Sequence, residues 1–183
     1  SSWQALAEKS AVSSSGQTVD VKSAEGISAV FGCVQALSES TACLPLHVYV
    51  RTKDGERERA DDHSIARVLR EPNDNQTGLA FRESLTASVL LHGNGYAQKE
   101  FNGVGELIAL HPMNPRGVSI VKLGNGRHRY DYSDNDGNVV RLLQDEVFHL
   151  RDRTEPGSIV GKSRITVARE TLGLSLAVRE HGA

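Results

Sequence analysis

The spacing of apolar residues predicts an α+β fold, in which helices precede antiparallel strands and hairpins and one long helix closes the chain. Three observations carry that reading. Up to Gly93 the apolar residues recur at helical spacing. From Tyr96 to Leu150 they alternate as in strands, with breaks rich in Gly and Asn between the runs. Beyond Ser163 the helical period returns. Strands gathered after helices point to α+β, because parallel βαβ units would interleave the two.

Residues 1–22 read as a flexible, serine-rich arm; Trp3 and Leu6 fit one helical turn, which Ser13-Ser14-Ser15-Gly16 ends. The chain does not begin with methionine, so residues upstream are expected to have been removed. Ser23 is expected to cap the first helix, with Glu25 in its positive first turn. Pro45 holds its predecessor extended, which ends that helix near Thr41. Ile27, Val30, Phe31, Val34 and Leu37 form its apolar stripe, and Cys33 is expected to lie beside this buried stripe as a small hydrophobe. Leu46, Val48 and Val50 alternate with polar neighbours and predict a strand. Asp54-Gly55, amid the alternating charges of Arg51 to Arg59, predicts a solvated hairpin tip.

A short helix is expected over Ser64 to Arg70, stopped by Glu71-Pro72. Thr77 caps a longer one whose inner face is Phe81, Leu85 and Val89 and whose end is Gly93. Tyr96 to Phe101 and Leu107 to Leu110 read as a hairpin about Asn102-Gly103. Val118 to Leu123 and His128 to Tyr132 read as another about Gly124-Asn125-Gly126, and Gly93-Asn94-Gly95 as a turn. Val139 to Leu143 and Val147 to Leu150 follow, divided by Gln144-Asp145-Glu146.

The last helix, from Ser163 to the end, is about 30 Å long. Ile165, Leu172 and Leu176 form one apolar line on it. Val167, Leu174 and Val178 form a second, about 200° away at about 100° per residue. Arg169, Glu170, Arg179 and Glu180 lie between them. A surface helix needs one stripe; two opposed stripes need two partners. One stripe is expected to face the protein's own body and the other either a neighbouring subunit or further chain, and the pattern is compatible with either assignment of the two stripes. Val167, Leu174, Val178, Arg169, Glu170 and Arg179 are the candidate subunit contacts.

At 183 residues the chain is the size of one domain. Its 21 basic and 23 acidic residues leave a net charge of −2, without the basic excess of a dedicated nucleic-acid binder. Two cysteines are too few for a disulfide-built scaffold. No apolar run nears the roughly 20 residues of a membrane helix, and no signal peptide opens the chain. These bounds predict a soluble protein of a reducing compartment.

No catalytic, cofactor or metal residue is predicted. Gly161-Lys162-Ser163 suggests a phosphate loop, but the glycine required five positions earlier is Pro156. Asp134, Asp136 and Gly137 resemble part of a calcium loop, yet its first and last positions would be Tyr132 and Leu143. His149 and His111 read as packed or edge histidines, and a nucleophilic role for Cys33 or Cys43 is not expected.

Six blocks, in register from Ser23 to Ala183, carry a resemblance. They begin with Ala29-Val30, Cys33-Val34, Leu37, Ser40, Leu44-Pro45-Leu46 and Val48-Tyr49, then His63, Leu69 and Pro72-Asn73. The most specific is Phe81-Arg82-Glu83-Ser84-Leu85 followed by Gly93-Asn94-Gly95-Tyr96-Ala97. Leu110, Pro112-Met113 and Pro115 come next, then Glu146-Val147 and His149-Leu150-Arg151. Gly161, Ser163 and Ile165 lead into Ala168-Arg169-Glu170 and Gly173-Leu174. With these blocks the chain resembles the portal (head–tail connector) proteins of long-tailed, siphovirus-type bacteriophages. Arg164 departs from a proline common in that family, a change that leaves a first helical turn intact.

The resemblance implies an N-terminal portion of a structural, non-enzymatic subunit. Residues 23–160 would be the wing and 161–183 the start of the stem, with the rest of the stem, the clip and the crown beyond. Such subunits form a ring, typically dodecameric, at one capsid vertex of the virion, assembled in the bacterial host cytoplasm. The implied partners are other copies of the chain, terminase, capsid and scaffold proteins, the head–tail adaptor, and double-stranded DNA passing through the channel during packaging and ejection; no membrane is implied. A reading from another class is a small nucleotide-binding or hydrolytic enzyme using the Gly161-Lys162-Ser163 turn. A third is an unrelated interaction module with a two-sided helix.

Overall fold

The computed structural model describes residues 21–134, 137–164 and 167, the first eight as backbone alone. Two compact units divide between Ala36 and Leu37. The described part of the first is helix alone. This helix, α1 (Val21–Ala42), continues into the second unit. It already includes Val21 and Lys22, so Ser23 lies inside it and does not cap it. The expected burial of its stripe is also corrected. Phe31 is 69% exposed, and Cys33 and Cys43 are exposed free thiols. Periodicity names the apolar face of a helix, whereas burial requires another element laid upon that face.

In the second unit the end of α1 buries small residues, Ser38 and Ala42. There Arg82 does what the sequence did not disclose. Its Nε and Nη2 donate to Ala42 O at 3.1 and 2.7 Å, and its Nη1 donates to Leu69 O at 3.4 Å. A cation on the unpaired carbonyls of a helix end satisfies acceptors that the helix itself leaves open.

The strand expected from Leu46 shrinks to β1 (Tyr49–Arg51), paired with β2 (Arg57–Arg59) across the Asp54-Gly55 turn. Every residue of both strands is exposed, so the alternation of Leu46, Val48 and Val50 does not mark a half-buried strand. Helix α2 (Ser64–Arg70) starts where His63 Nδ1 accepts from Ile65 N. Helix α3 (Gly78–His92) has the expected Thr77 cap and ends at Gly93, with φ +76°.

The other strands among the described residues form two three-stranded antiparallel sheets. In the first, β3 (Asn94–Phe101) lies between β4 (Leu107–Met113) and β8 (Val147–Arg151). In the second, β6 (His128–Ser133) lies between β5 (Val118–Lys122) and β7 (Val139–Leu143). The β3–β4 turn is longer than Asn102-Gly103, spanning Asn102 to Glu106 with the positive φ at Gly105. Asn94-Gly95 is not a turn. It opens β3, buried, with Asn94 opposite Arg151 and Gly95 opposite Leu150.

The period of two along β3 organises the core. Ala97 packs with Val68, Phe81, Leu85 and Leu110, beneath the helices. A side chain at Gly95 would strike Leu85 and Val89, so small residues let α3 settle on the strand. Tyr96 faces the other way, packing with Met113, Tyr130, Leu142 and Val147 between the sheets. The result is three layers, helices on one sheet on the other, with the start of β3 as the shared spine.

Candidate functional site at the seat of the last helix

Arg164 and Val167 are helical, and Val167 N donates to Ser163 O at 3.1 Å. What precedes them is pinned to the junction of α3 and β3. Gly93 and Gly161 meet backbone to backbone, and a Cβ on either would run into the carbonyl of the other. Asp152 N donates to Gly93 O at 2.9 Å, and Lys162 N to Arg153 O at 3.0 Å. Ser163 Oγ reaches across to Leu91 O at 2.7 Å.

Asn94, 8% exposed, locks the contact. Its Oδ1 accepts from Gly161 N at 2.8 Å and its Nδ2 donates to Gly161 O at 3.0 Å, so one carboxamide answers both backbone groups of one glycine. The same Nδ2 donates to His92 O at 3.2 Å. Because this pairing makes Oδ1 an acceptor, His149 Nε2, 3.1 Å from it, must carry the proton. In the neutral ring Nδ1 is then free to accept from the Tyr130 hydroxyl at 3.2 Å. A continuous chain of donors and acceptors thus runs from β6 through β8 and β3 to Gly161. The His149 ring lies against Tyr96, with centroids 4.3 Å apart, and meets Tyr130 edge-on.

A bidentate ion pair flanks this clasp. Arg164 Nε and Nη2 donate to the nearly buried Asp152 carboxylate at 2.6 and 2.9 Å. The guanidinium holds the Asp152 carboxyl below the usual carboxylate range. Proline at position 164 could not make this pair, so the departure noted in the sequence is used by the fold.

Burial, with a smaller contribution from Arg151, lowers the His149 pKa to about 4. Burial also pushes the Tyr96 hydroxyl up to about 12. His149 is therefore neutral in the native state where the unfolded chain, with its ordinary value near 6.5, already binds a proton. Its contribution is complete above pH 6.5 and is lost as pH falls from 6.5 to about 4, by at most about 3 kcal/mol. Urea melts of this chain across that window are expected to show the decline, and His149→Gln to flatten it whatever its effect on stability at neutral pH.

The same bonds bear on the alternatives read from the sequence. The amides of Gly161 and Lys162 donate to Asn94 and Arg153, and Lys162 Nζ pairs with Glu155 at 2.5 Å. The Gly161-Lys162-Ser163 turn therefore offers no amide cradle for a phosphate. Asp134 accepts from Asn138 N and Nδ2 within a turn. His111 pairs with Glu100 at 2.7 Å on the surface. Among the described residues no cluster of metal-binding side chains occurs. Of the candidate subunit contacts, Val167 is described, helical and 46% exposed. Arg169, Glu170, Leu174, Val178 and Arg179 lie outside the described residues. Asn94 was missed as a site residue because an Asn between glycines reads as a turn. The signal available was its place at the start of an apolar, strand-period run.

Residues 28–183 match the family model described as phage portal protein. The chain belongs to the phage portal protein family. It is 35% identical over 156 residues to the portal protein of Enterobacteria phage HK97, covering 84% of this chain and 36% of that protein. To the probable portal protein of Streptomyces phage phiC31 it is 32% identical over 185 aligned positions, covering 94% and 39%. Among solved structures it is similar to a chain in the neck of an empty GTA particle. That match has a TM-score of 0.65 and 25% identity, covering 82% of this chain and 42% of the other. The chain thus spans about two fifths of the length of these relatives, and the α+β fold read from its sequence is that of the part of the neck chain it matches.

Proposed function

We propose that this chain is the N-terminal part of a non-enzymatic subunit that assembles with copies of itself into a ring, typically of twelve, at a capsid vertex. In this reading the ring forms the channel for packaging and ejecting double-stranded DNA. It docks terminase, capsid and scaffold proteins and the head–tail adaptor, and is assembled in the host cytoplasm before entering the virion. Residues 1–22 serve as an arm, 23–160 as the wing and 161–183 as the start of the stem. The observation that carries the proposal is the family match across residues 28–183. The seat of the last helix supports it mechanically. A stem helix that bears load must be joined rigidly to its wing, and a buried carboxamide, a glycine–glycine contact and a bidentate ion pair supply that joint. The net charge of −2 suits a conduit through which DNA slides, since each phosphate contact would strengthen its hold. No helix among the described residues is long and apolar enough to cross a membrane.

The full-length protein, imaged by negative-stain electron microscopy, is expected to form rings with a central hole. Leu174→Asp should weaken ring assembly while leaving the wing's melting transition in place, and Leu172→Asp should lower that transition. Equal loss of folding from both, or a monodisperse monomer of the full-length protein, would overturn the proposal.

A further inference from the structure

Three Asn-Gly pairs occur in the described residues, and the fold treats each differently. Asn94-Gly95 is buried, with its carboxamide clamped by Gly161, His92 and His149 and its glycine in the ladder opposite Leu150. At Asn125-Gly126 the glycine amide donates to Leu123 O at 3.0 Å, and among the described residues the side chain has one bond, from Arg127 N to Oδ1. Asn102-Gly103 stands at the tip of the β3–β4 hairpin, beside Val104, which is 81% exposed. There the Gly103 amide donates to no protein group among the described residues. Asn102 Oδ1 accepts from Val104 N at 3.1 Å and Glu106 N at 2.9 Å, and Asn102 Nδ2 donates to Glu106 Oε2 at 2.9 Å.

We propose that Asn102-Gly103 is a self-modifying site, at which the loop promotes closure of a succinimide and then its hydrolysis to aspartate or isoaspartate. In the closure, Gly103 N attacks Asn102 Cγ. A C–N bond forms, the Cγ–Nδ2 bond breaks, and the proton lost by Gly103 N ends on Nδ2, which leaves as ammonia. Negative charge develops on Oδ1 as the tetrahedral centre forms. Two backbone N–H groups already point at that oxygen, the arrangement that stabilises an oxyanion. The Glu106 carboxylate accepts from the departing nitrogen, which places it to take up the proton released as Gly103 N attacks and to hand it to Nδ2. Water then opens the ring on either side, and no redox partner is required. The product adds a negative charge at the tip, and as isoaspartate it adds one backbone carbon to the turn.

The test is incubation of this chain at neutral pH, followed by peptide mass mapping with isoaspartate-specific methylation. Asn102 is expected to convert first, Asn125 more slowly and Asn94 last. Glu106→Gln is expected to slow Asn102 by about tenfold, the rate equivalent of one charge-assisted hydrogen bond, without changing Asn125. Gly103→Ala meets no atom within 4 Å and needs no positive φ, so it should keep the fold and suppress conversion. Conversion of Asn125 ahead of Asn102, or an Asn102 rate unchanged in Glu106→Gln, would overturn the proposal.

Discussion

Gly161→Ala is expected to lower the stability of this chain by about 3 kcal/mol or more, the upper range of overpacking substitutions. Its melting temperature should fall by about 6–12 °C. The new methyl group has no vacant side to turn to. A Cβ at Gly161 runs into Gly93 O and crowds the backbone of Asp152. Relief requires the Gly161 segment to lift away, which breaks both bonds to Asn94 and draws Ser163 from Leu91. Gly93→Ala should be at least as damaging, because Gly93 combines the same contact with φ +76°, a conformation costing a Cβ-bearing residue about 1–2 kcal/mol. Thermal denaturation of both variants checks this, and a change of less than about 1 kcal/mol in either would show that the two backbones do not touch.

Asn94→Ala is expected to cost about 3 kcal/mol, since it strips partners from Gly161 N, Gly161 O, His92 O and His149 Nε2 in a buried place. The loss should be local. Amide exchange at Gly161 is expected to rise sharply while the β5–β6–β7 sheet keeps its protection. Asn94→Asp separates the roles of the two amide atoms. A carboxylate still accepts from Gly161 N and His149, but it cannot donate to Gly161 O or His92 O. It also sets a negative charge against the imidazole, so the His149 titration, followed by NMR, should move up from about 4. A His149 shift that does not respond to Asn94→Asp would break the link between the clasp and the ring.

Both predictions rest on residues whose importance a one-dimensional reading understates. The elements themselves were largely legible. Thr77, the Phe81–Leu85 spacing and Gly93 announce a capped amphipathic helix, and the alternating runs after Tyr96 announce strands, because each signal is local. The glycine-rich turns at Asp54-Gly55 and Gly124-Asn125-Gly126 were equally plain. Misreadings arose where a local signal had two meanings. Asn94-Gly95 has the composition of a turn and the position of a strand, and the ladder with β8 decides for the strand. The stripe on α1 has the period of a core face, yet Phe31 is largely exposed.

Sequence alone determined the order and type of most of the described elements, the family resemblance, and the incompleteness of the phosphate-loop and calcium-loop motifs, since all of these depend on neighbours within a few positions; the expected arm at 1–22 and most of the last helix lie outside the described residues. Tertiary structure alone decided that β8 crosses back to β3, that Gly161 lies on Gly93, and that Asn94, His149 and Tyr130 form one hydrogen-bonded chain. Those contacts join residues 19 to 68 positions apart, from His149 and Tyr130 to Gly161 and Gly93. Their partners are chosen by the packing of whole layers and by the need to satisfy buried polar groups, neither of which leaves a periodic trace along the chain.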